Sequence, residues 1–361
     1  VLGEGEFRFP RLLEYLEKGS SLDELDGLVF RSKGNLKINE VENYIQNLDE
    51  VPFPSYDGID FDAYANNGIK YNIYLHPKRV PHALTSTSRG CAFDCIFCSS
   101  KAVNGPKIRY RSSDSVLAEI DELVERGVKE VIFLDDNIYL NRPRLDRILA
   151  GLIERKHDLE WKSTSAAAYA LDDSLLEKMK ESGCYQVAYA IESGTQEVLD
   201  LMKKPKGILD RIRGLVEKTK SLDMNANGMF VIGSPGETWE QIRETFRFAD
   251  ELDLDYCAFS IATPLPQTEL FRIAKDQGLL PPGFDFDEKH FKGFGKANIT
   301  TSEFTPTELE IIRAFEWDRI NFKTEEKARK IAEMGGLTID EVNNWRVSTR
   351  RGLGVKVDYG E

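Results

Sequence analysis

No apolar run in the 361-residue chain approaches the roughly 20 residues that a membrane-spanning helix requires, and no charged-then-apolar leader opens it. The expectation is a soluble, cytoplasmic protein. Cysteine is scarce: five residues, an odd number, three of them crowded together. That pattern argues against a disulfide framework and for a metal or redox site in a reducing compartment. Positive charge is in deficit, with 48 Lys plus Arg against 61 Asp plus Glu and a formal charge of −13. The basic residues are scattered rather than gathered in a stripe, so nucleic acid is not an expected partner. Internal repeats and low-complexity segments are absent. What is present, 41% hydrophobic and 30% charged residues, suits one large domain with appendages or two modest ones.

From about residue 82 to 262, apolar runs of strand length alternate with amphipathic helical stretches, the pattern of β/α units around a parallel sheet. HALTSTS, KEVIFLDD, LEWKSTSAAAY, YQVAYAIESG, NANGMFVIGSPGET and YCAFSIATP read as six strands. Six units are fewer than the eight of a closed barrel, so the expected fold is α/β, a partial (β/α)6 TIM-like barrel. Expected boundaries are 1–80 for an N-terminal segment, 81–285 for the barrel and 286–361 for a covering loop and helical tail.

The N-terminal segment offers a hairpin, GLVFRSKGNLKI, and a proline-punctuated connector, VPFPSYDG, but no further long periodic stretch. The opening VLGEGEF reads as the end of a strand entering a turn. The phenylalanine-rich loop from Pro281 to Phe294 either covers the barrel mouth or packs on the surface. In the tail, Thr305 with Glu308 and Thr338 with Glu341 read as capping boxes, and EEKARKIAEMGG as a short helix stopped by glycine.

Parallel β/α sheets build their sites at the carboxyl ends of the strands. There the sequence collects Cys91, Cys95 and Cys98 after the first strand, Asp135 and Asp136 after the second, Glu192 and Ser193 after the fourth, and the glycine turn of VIGSPGE after the fifth. Any one of these alone reads as a cap or turn residue; their convergence reads as a site.

The stretch TSRGCAFDCIFCSS places three cysteines within eight residues and no fourth nearby. A structural zinc site closes with four ligands. His82 opens the preceding strand, at the opposite end from the loop, while Cys184 and Cys257 begin strands four and six and read as buried structural thiols. Three thiolates suit a cubane iron–sulfur cluster with one iron lacking a protein ligand, whereas electron carriers of this type hold four cysteines. A zinc scaffold and an electron-transfer protein are the competing classes.

CAFDCIFC, CxxxCxxC with Phe97 before the last cysteine, resembles the motif of the radical S-adenosylmethionine (SAM) enzymes. The resemblance implies a [4Fe-4S] cluster on Cys91, Cys95 and Cys98 whose open iron chelates SAM, and reductive cleavage to a 5′-deoxyadenosyl radical. It implies Phe97 near the adenine, Asp135 and Asp136 facing the methionine amino group, and Glu192 and Ser193 near the methionine or ribose. Backbone of the fifth-strand element, at Ile232 and Gly233, would meet the adenine. A small electron carrier such as flavodoxin or ferredoxin would be the reductant, and the substrate a small molecule or peptide.

VLGEGEF, VPFPSYDG and the helical tail resemble the branch with an N-terminal cobalamin-binding domain, so that Val1 would begin where such a domain is finishing. Cobalamin is then a third cofactor, and methylation of an unactivated carbon the first expectation. Cyclisation, ring contraction or dehydrogenation is the alternative. Two departures from the pattern bear on substrate: Gln267 stands where glycine is usual, and SAAAY lacks an arginine common in relatives. The methylthiotransferase branch is set aside for want of its N-terminal domain and of a basic nucleic-acid surface.

Overall fold

The computed structural model describes residues 1–287 and 293–351. The N-terminal hairpin pairs β1 (Val29–Ser32) with β2 (Asn35–Ile38). Lys33 and Gly34 turn it with φ of 50° and 84°, the doubly left-handed turn that matches strand twist. Next in the chain come β3 (His82–Thr85), then β4 (Ser88–Arg89) and β5 (Arg109–Tyr110), a two-residue antiparallel ladder. The large strands are β6 (Glu130–Phe133), β7 (Glu160–Ser163), β8 (Cys184–Glu192), β9 (Asn225–Ile232) and β10 (Tyr256–Ile261). Strands β3, β6, β7, β8, β9 and β10 lie side by side in chain order, all parallel, as one open six-stranded sheet. This is the expected partial barrel.

Buried parallel strands read as apolar runs because both faces are covered. Val131, Ile132 and Phe133 on β6 and Val187, Ala188 and Tyr189 on β8 are all at most 1% exposed. The helices that cover the sheet present the matching stripes: Val116, Ile120 and Leu123 from Ser113–Glu125, and Leu145, Ile148, Leu149 and Leu152 from Arg142–Arg155. Cys184 and Cys257 are buried in this core, and His82 sits at the amino end of β3 with Nδ1 2.8 Å from the Ala65 carbonyl.

The edge strand β10 is protected by a side chain acting as backbone. Asn321, from the helix Pro306–Asn321, accepts from the Cys257 N–H at 2.7 Å and donates to the Cys257 carbonyl at 2.8 Å. That helix starts with the expected capping box, Pro306 in its first turn; Thr338 and Glu341 exchange the reciprocal bonds of the second box. At the amino ends of the strands, Lys162 plugs the barrel: its ammonium donates to the carbonyls of Ile73 and His76 at 3.0 and 2.5 Å. Burial pushes its pKa down to about 8. No helix among the described residues is long and apolar enough to cross a membrane.

Four expectations need correction. Residues 1–80 do contain a further long periodic element, the helix Gly5–Lys18, and Val1–Glu4 form no strand. Pro10 stands inside that helix, and its apolar Phe9, Leu13 and Leu16 are more than half exposed. HALTSTS is two pieces, because Thr87 turns toward Asp135 and the chain leaves the sheet after Thr85. The third strand stops at Ser163; beyond it only Ala166 bridges to Tyr189, and Ala168–Ala170 coil into a 3-10 turn. In the Pro281–Phe294 loop, residues 288–292 lie outside the described residues, and its described part packs Phe284 and Phe286 against Phe271.

Candidate active site

The cysteine loop runs between the two strands of the β4–β5 ladder. Its central Ile96 is 4% exposed and fixed on both sides: its N–H donates to the Met202 carbonyl at 3.3 Å, and its carbonyl accepts from Leu270 N at 2.8 Å. Cys98 N donates to the Cys95 carbonyl at 3.1 Å, which turns the loop so that all three cysteines line one cavity. The cavity measures about 500 Å³, within the roughly 300–1,000 Å³ of small-molecule sites. It opens at the carboxyl ends of the strands, where Phe97, Asp135, Asp136 and Glu192 join the cysteines.

Burial pushes the thiol of Cys95 up to about 11, opposed by the ammonium of Lys204 and reinforced by Glu192 and the other two cysteines. Without a bound metal the thiols therefore hold their protons at neutral pH, and loading must release them. Among the described residues no three His, Cys, Asp or Glu side chains converge on a single ion. A cubane takes each thiolate on a different iron, so three spaced cysteines on one cavity fit a cluster that leaves one iron without a cysteine ligand.

Glu192 ends β8 where the register against β9 slips, and its φ of 70° turns the carboxylate into the cavity. Lys204 meets it at 3.0 Å, both side chains 9% exposed. The ammonium's pKa is raised: burial opposes the shift, but Glu192 and the nearby thiols outweigh it. Lys203 in the left-handed region, with Lys204 N bonded to the Leu199 carbonyl at 2.9 Å, aims Lys204 back into the site. The sequence reading passed over Lys204, for which MKKPKG, a lysine pinned between a helix end and a proline, was the available signal. It also passed over Tyr74 and Tyr169. Tyr74 rises from the connector into the barrel, its hydroxyl 3.1 Å from the Gly228 carbonyl.

The remaining residues divide. Asp135 is 2% exposed and accepts from Thr87 N and Oγ and from Ser88 Oγ, so its visible work is to turn the chain into the cysteine loop. Asp136 is exposed and accepts from Ser100 Oγ at 2.6 Å and Asn104 Nδ2 at 2.9 Å. Ser193 is buried with its hydroxyl 3.0 Å from that of Thr245, outside the cavity lining. Met229, Phe230 and Val231 line the cavity wall, while Ile232 and Gly233 lie just beyond it. Gln267 has φ of 62°, the left-handed conformation that glycine adopts without penalty.

The turn after β9 is held by Glu237, which accepts from the N–H groups of Gly233 at 2.6 Å and Ser234 at 3.0 Å. Burial pushes its pKa up to about 7, although both backbone bonds favour the ionised form. A folded-state pKa above the ordinary value of 4.5 gives stability that is complete below pH 4.5 and lost as pH rises through 7. Relative to Glu237→Gln, the parent should therefore lose about 3 kcal/mol between those limits, read as the pH dependence of the difference in urea unfolding. A pH-independent difference would refute the assignment.

Residues 85–249, from the end of β3 into the helix after β9, match the Radical SAM superfamily. An uncharacterized methyltransferase of Pyrococcus horikoshii is 36% identical over 284 residues, covering 78% of this chain and 58% of its own length. The cytidylyl-2-hydroxyethylphosphonate methyltransferase of Streptomyces wedmorensis is 32% identical over 311 residues, covering 78% and 57%. The chain thus spans about half the length of the curated relatives it matches. The structure of the radical SAM methyltransferase TsrM from Kitasatospora setae, with cobalamin and a [4Fe-4S] cluster bound, superposes with a TM-score of 0.69 at 16% identity, over 98% of this chain and 76% of that one. At that identity the likeness establishes the fold. With the cysteine loop at the carboxyl end of the first strand of a six-stranded partial barrel, the chain belongs to the radical SAM superfamily.

Proposed function

We propose that the chain carries the catalytic core of a radical SAM enzyme, a cobalamin-dependent methyltransferase acting on an unactivated carbon. The observation that carries the reading is the placement of Cys91, Cys95 and Cys98 along one cavity that also holds the buried Lys204–Glu192 pair. Bound there, a [4Fe-4S] cluster and SAM supply a 5′-deoxyadenosyl radical, and methylcobalamin a methyl group.

The chain's own residues would bind and orient. The three cysteines would hold the cluster. Lys204 and Glu192 offer an ammonium and a carboxylate side by side, the complement of the carboxylate and ammonium of an amino acid. Phe97, Met229 and Val231 offer apolar surface to a flat base. Among the described residues the lining toward Tyr74, Tyr169, Ala190 and Ala258 holds no acid–base pair, which suits a site whose task is to position a carbon against a radical and exclude water.

Methyl transfer is favoured over cyclisation, ring contraction or dehydrogenation by the names of the two relatives. The test is anaerobic reconstitution with iron and sulfide, then SAM, a strong reductant and candidate substrates, with and without methylcobalamin. Methyl transfer yields a methylated product and S-adenosylhomocysteine, both dependent on cobalamin, beside the 5′-deoxyadenosine of reductive SAM cleavage. 5′-Deoxyadenosine alone, indifferent to cobalamin, would move the assignment to a non-methylating reaction. A zinc-loaded protein without a cluster would overturn it.

A further inference from the structure

We propose that Glu4 is a positioning residue for the cysteine loop: a buried carboxylate of the N-terminal segment that sets the geometry of Cys91, Cys95 and Cys98 through Arg89 and Arg109. The proposal rests on the reading of those cysteines as cluster ligands. Its starting point is an instability. The loop from 90 to 108 is closed by a ladder of only two residue pairs, Ser88 opposite Tyr110 and Arg89 opposite Arg109. So short a ladder does not hold itself, and like charges directly opposite one another push it apart.

Glu4 supplies the counter-charge shared by both arginines, while Glu6 pairs with Arg89 alone. The Glu4 side chain is 6% exposed. Oε1 accepts from Arg89 at 2.8 Å and from Arg109 at 2.7 Å, and Oε2 accepts from the Ile45 N–H at 2.7 Å. Arg109 is equally buried: besides Glu4 it donates to the carbonyls of Ile45 at 2.7 Å and Asn104 at 2.6 Å, and its guanidinium lies over the Tyr44 ring. The loop is packed on the same ring at Gly105, where a Cβ would come within 2.7 Å of Tyr44.

From Asn104 the bonds continue to the cysteines. Asn104 and Ser100 both donate to Asp136, and the Ser100 N–H lies 3.4 Å from the Cys98 sulfur. On the other side the Glu4 carbonyl accepts from Arg8 at 3.1 Å, and Arg8 is paired with Asp26 beside the N-terminal hairpin. A continuous run of hydrogen bonds thus joins residues 4–45 to the loop that carries the metal ligands. A displacement of the N-terminal segment strips the counter-charge from buried Arg109 and from partly exposed Arg89 at the base of that loop, a costly event for the buried member. The N-terminal segment is therefore coupled to the cluster without touching it.

The experiment compares the parent protein with Glu4→Gln, which keeps shape and removes charge, Glu4→Asp, which keeps charge and withdraws the carboxylate, and Asp318→Asn. The last breaks a buried ion pair with Arg346 and Arg350 far from the loop and controls for general destabilisation. Hydrogen exchange of residues 90–108 should rise about tenfold in Glu4→Gln and less in Glu4→Asp, with no change in Asp318→Asn. The reduced cluster should show an altered electron paramagnetic resonance line shape in the Glu4 variants alone. Loop exchange within twofold of the parent in both Glu4 variants, with an unchanged spectrum, overturns the proposal. If loop exchange rises but the parent takes up no cluster, the clamp stands and the cluster reading fails.

Discussion

Cys95→Ala will abolish formation of 5′-deoxyadenosine and the visible absorbance of the reconstituted cluster, while leaving the fold in place. Loss of an outer partner of a metal ligand lowers affinity or activity by about 10–100-fold, so loss of a ligand itself should exceed about 100-fold. Cys95 is the most informative of the three. Its flanking Ile96 holds the loop through backbone bonds that alanine at 95 leaves intact, so the variant removes a donor without releasing the loop. Cys184→Ala gives the opposite pattern. That thiol is 1% exposed in the core at the amino end of β8, and its loss should lower stability by about 1–2 kcal/mol with iron content unchanged. Far-ultraviolet circular dichroism, iron and sulfide analysis and product mass spectrometry separate the two. A Cys95→Ala protein that still cleaves SAM at more than a tenth of the parent rate would remove the three-cysteine cluster from the account.

Much of this was legible in the amino-acid sequence, for identifiable reasons. The strands could be counted because β6 and β8 are buried almost throughout and so spelt largely in apolar residues, and the cysteine loop is a local motif whose spacing survives without knowledge of the fold. What was not legible is what depends on distant partners. Lys204 acquires its role from a register slip at Glu192 and a left-handed turn at Lys203, neither of which composition marks. Ser193 sits one residue past Glu192 and faces Thr245 instead of the cavity; alternation along a strand predicts the difference only once its last residue is known. Asp135 and Asp136, adjacent and chemically identical, part company: one is buried beneath Thr87 and Ser88, the other exposed beside Ser100. The helix Gly5–Lys18 escaped notice because Pro10 interrupts its pattern and its apolar residues face outward.

Lys204→Met will destabilise the fold by about 3–5 kcal/mol, because it leaves the Glu192 carboxylate buried without its cation. Both side chains are 9% exposed and 3.0 Å apart, so little solvent is available to take the cation's place. The double variant Lys204→Met with Glu192→Leu should recover much of that loss, since replacing a buried pair by apolar groups of similar size is often neutral. Cofactor binding should not recover. If Lys204 and Glu192 face the ends of an amino acid, the single and double variants alike will lose SAM affinity, measured anaerobically on the cluster-loaded protein by equilibrium dialysis. Stability restored with affinity still lost assigns the pair to the ligand; stability and affinity restored together assign it to the fold. The second result would leave the cysteines as ligands but return Glu192 to the role of a strand-end residue, whose left-handed φ of 70° then has only the register slip to explain it. The first would account for that strained conformation directly, because an extended backbone at the end of β8 would not turn the carboxylate toward Lys204.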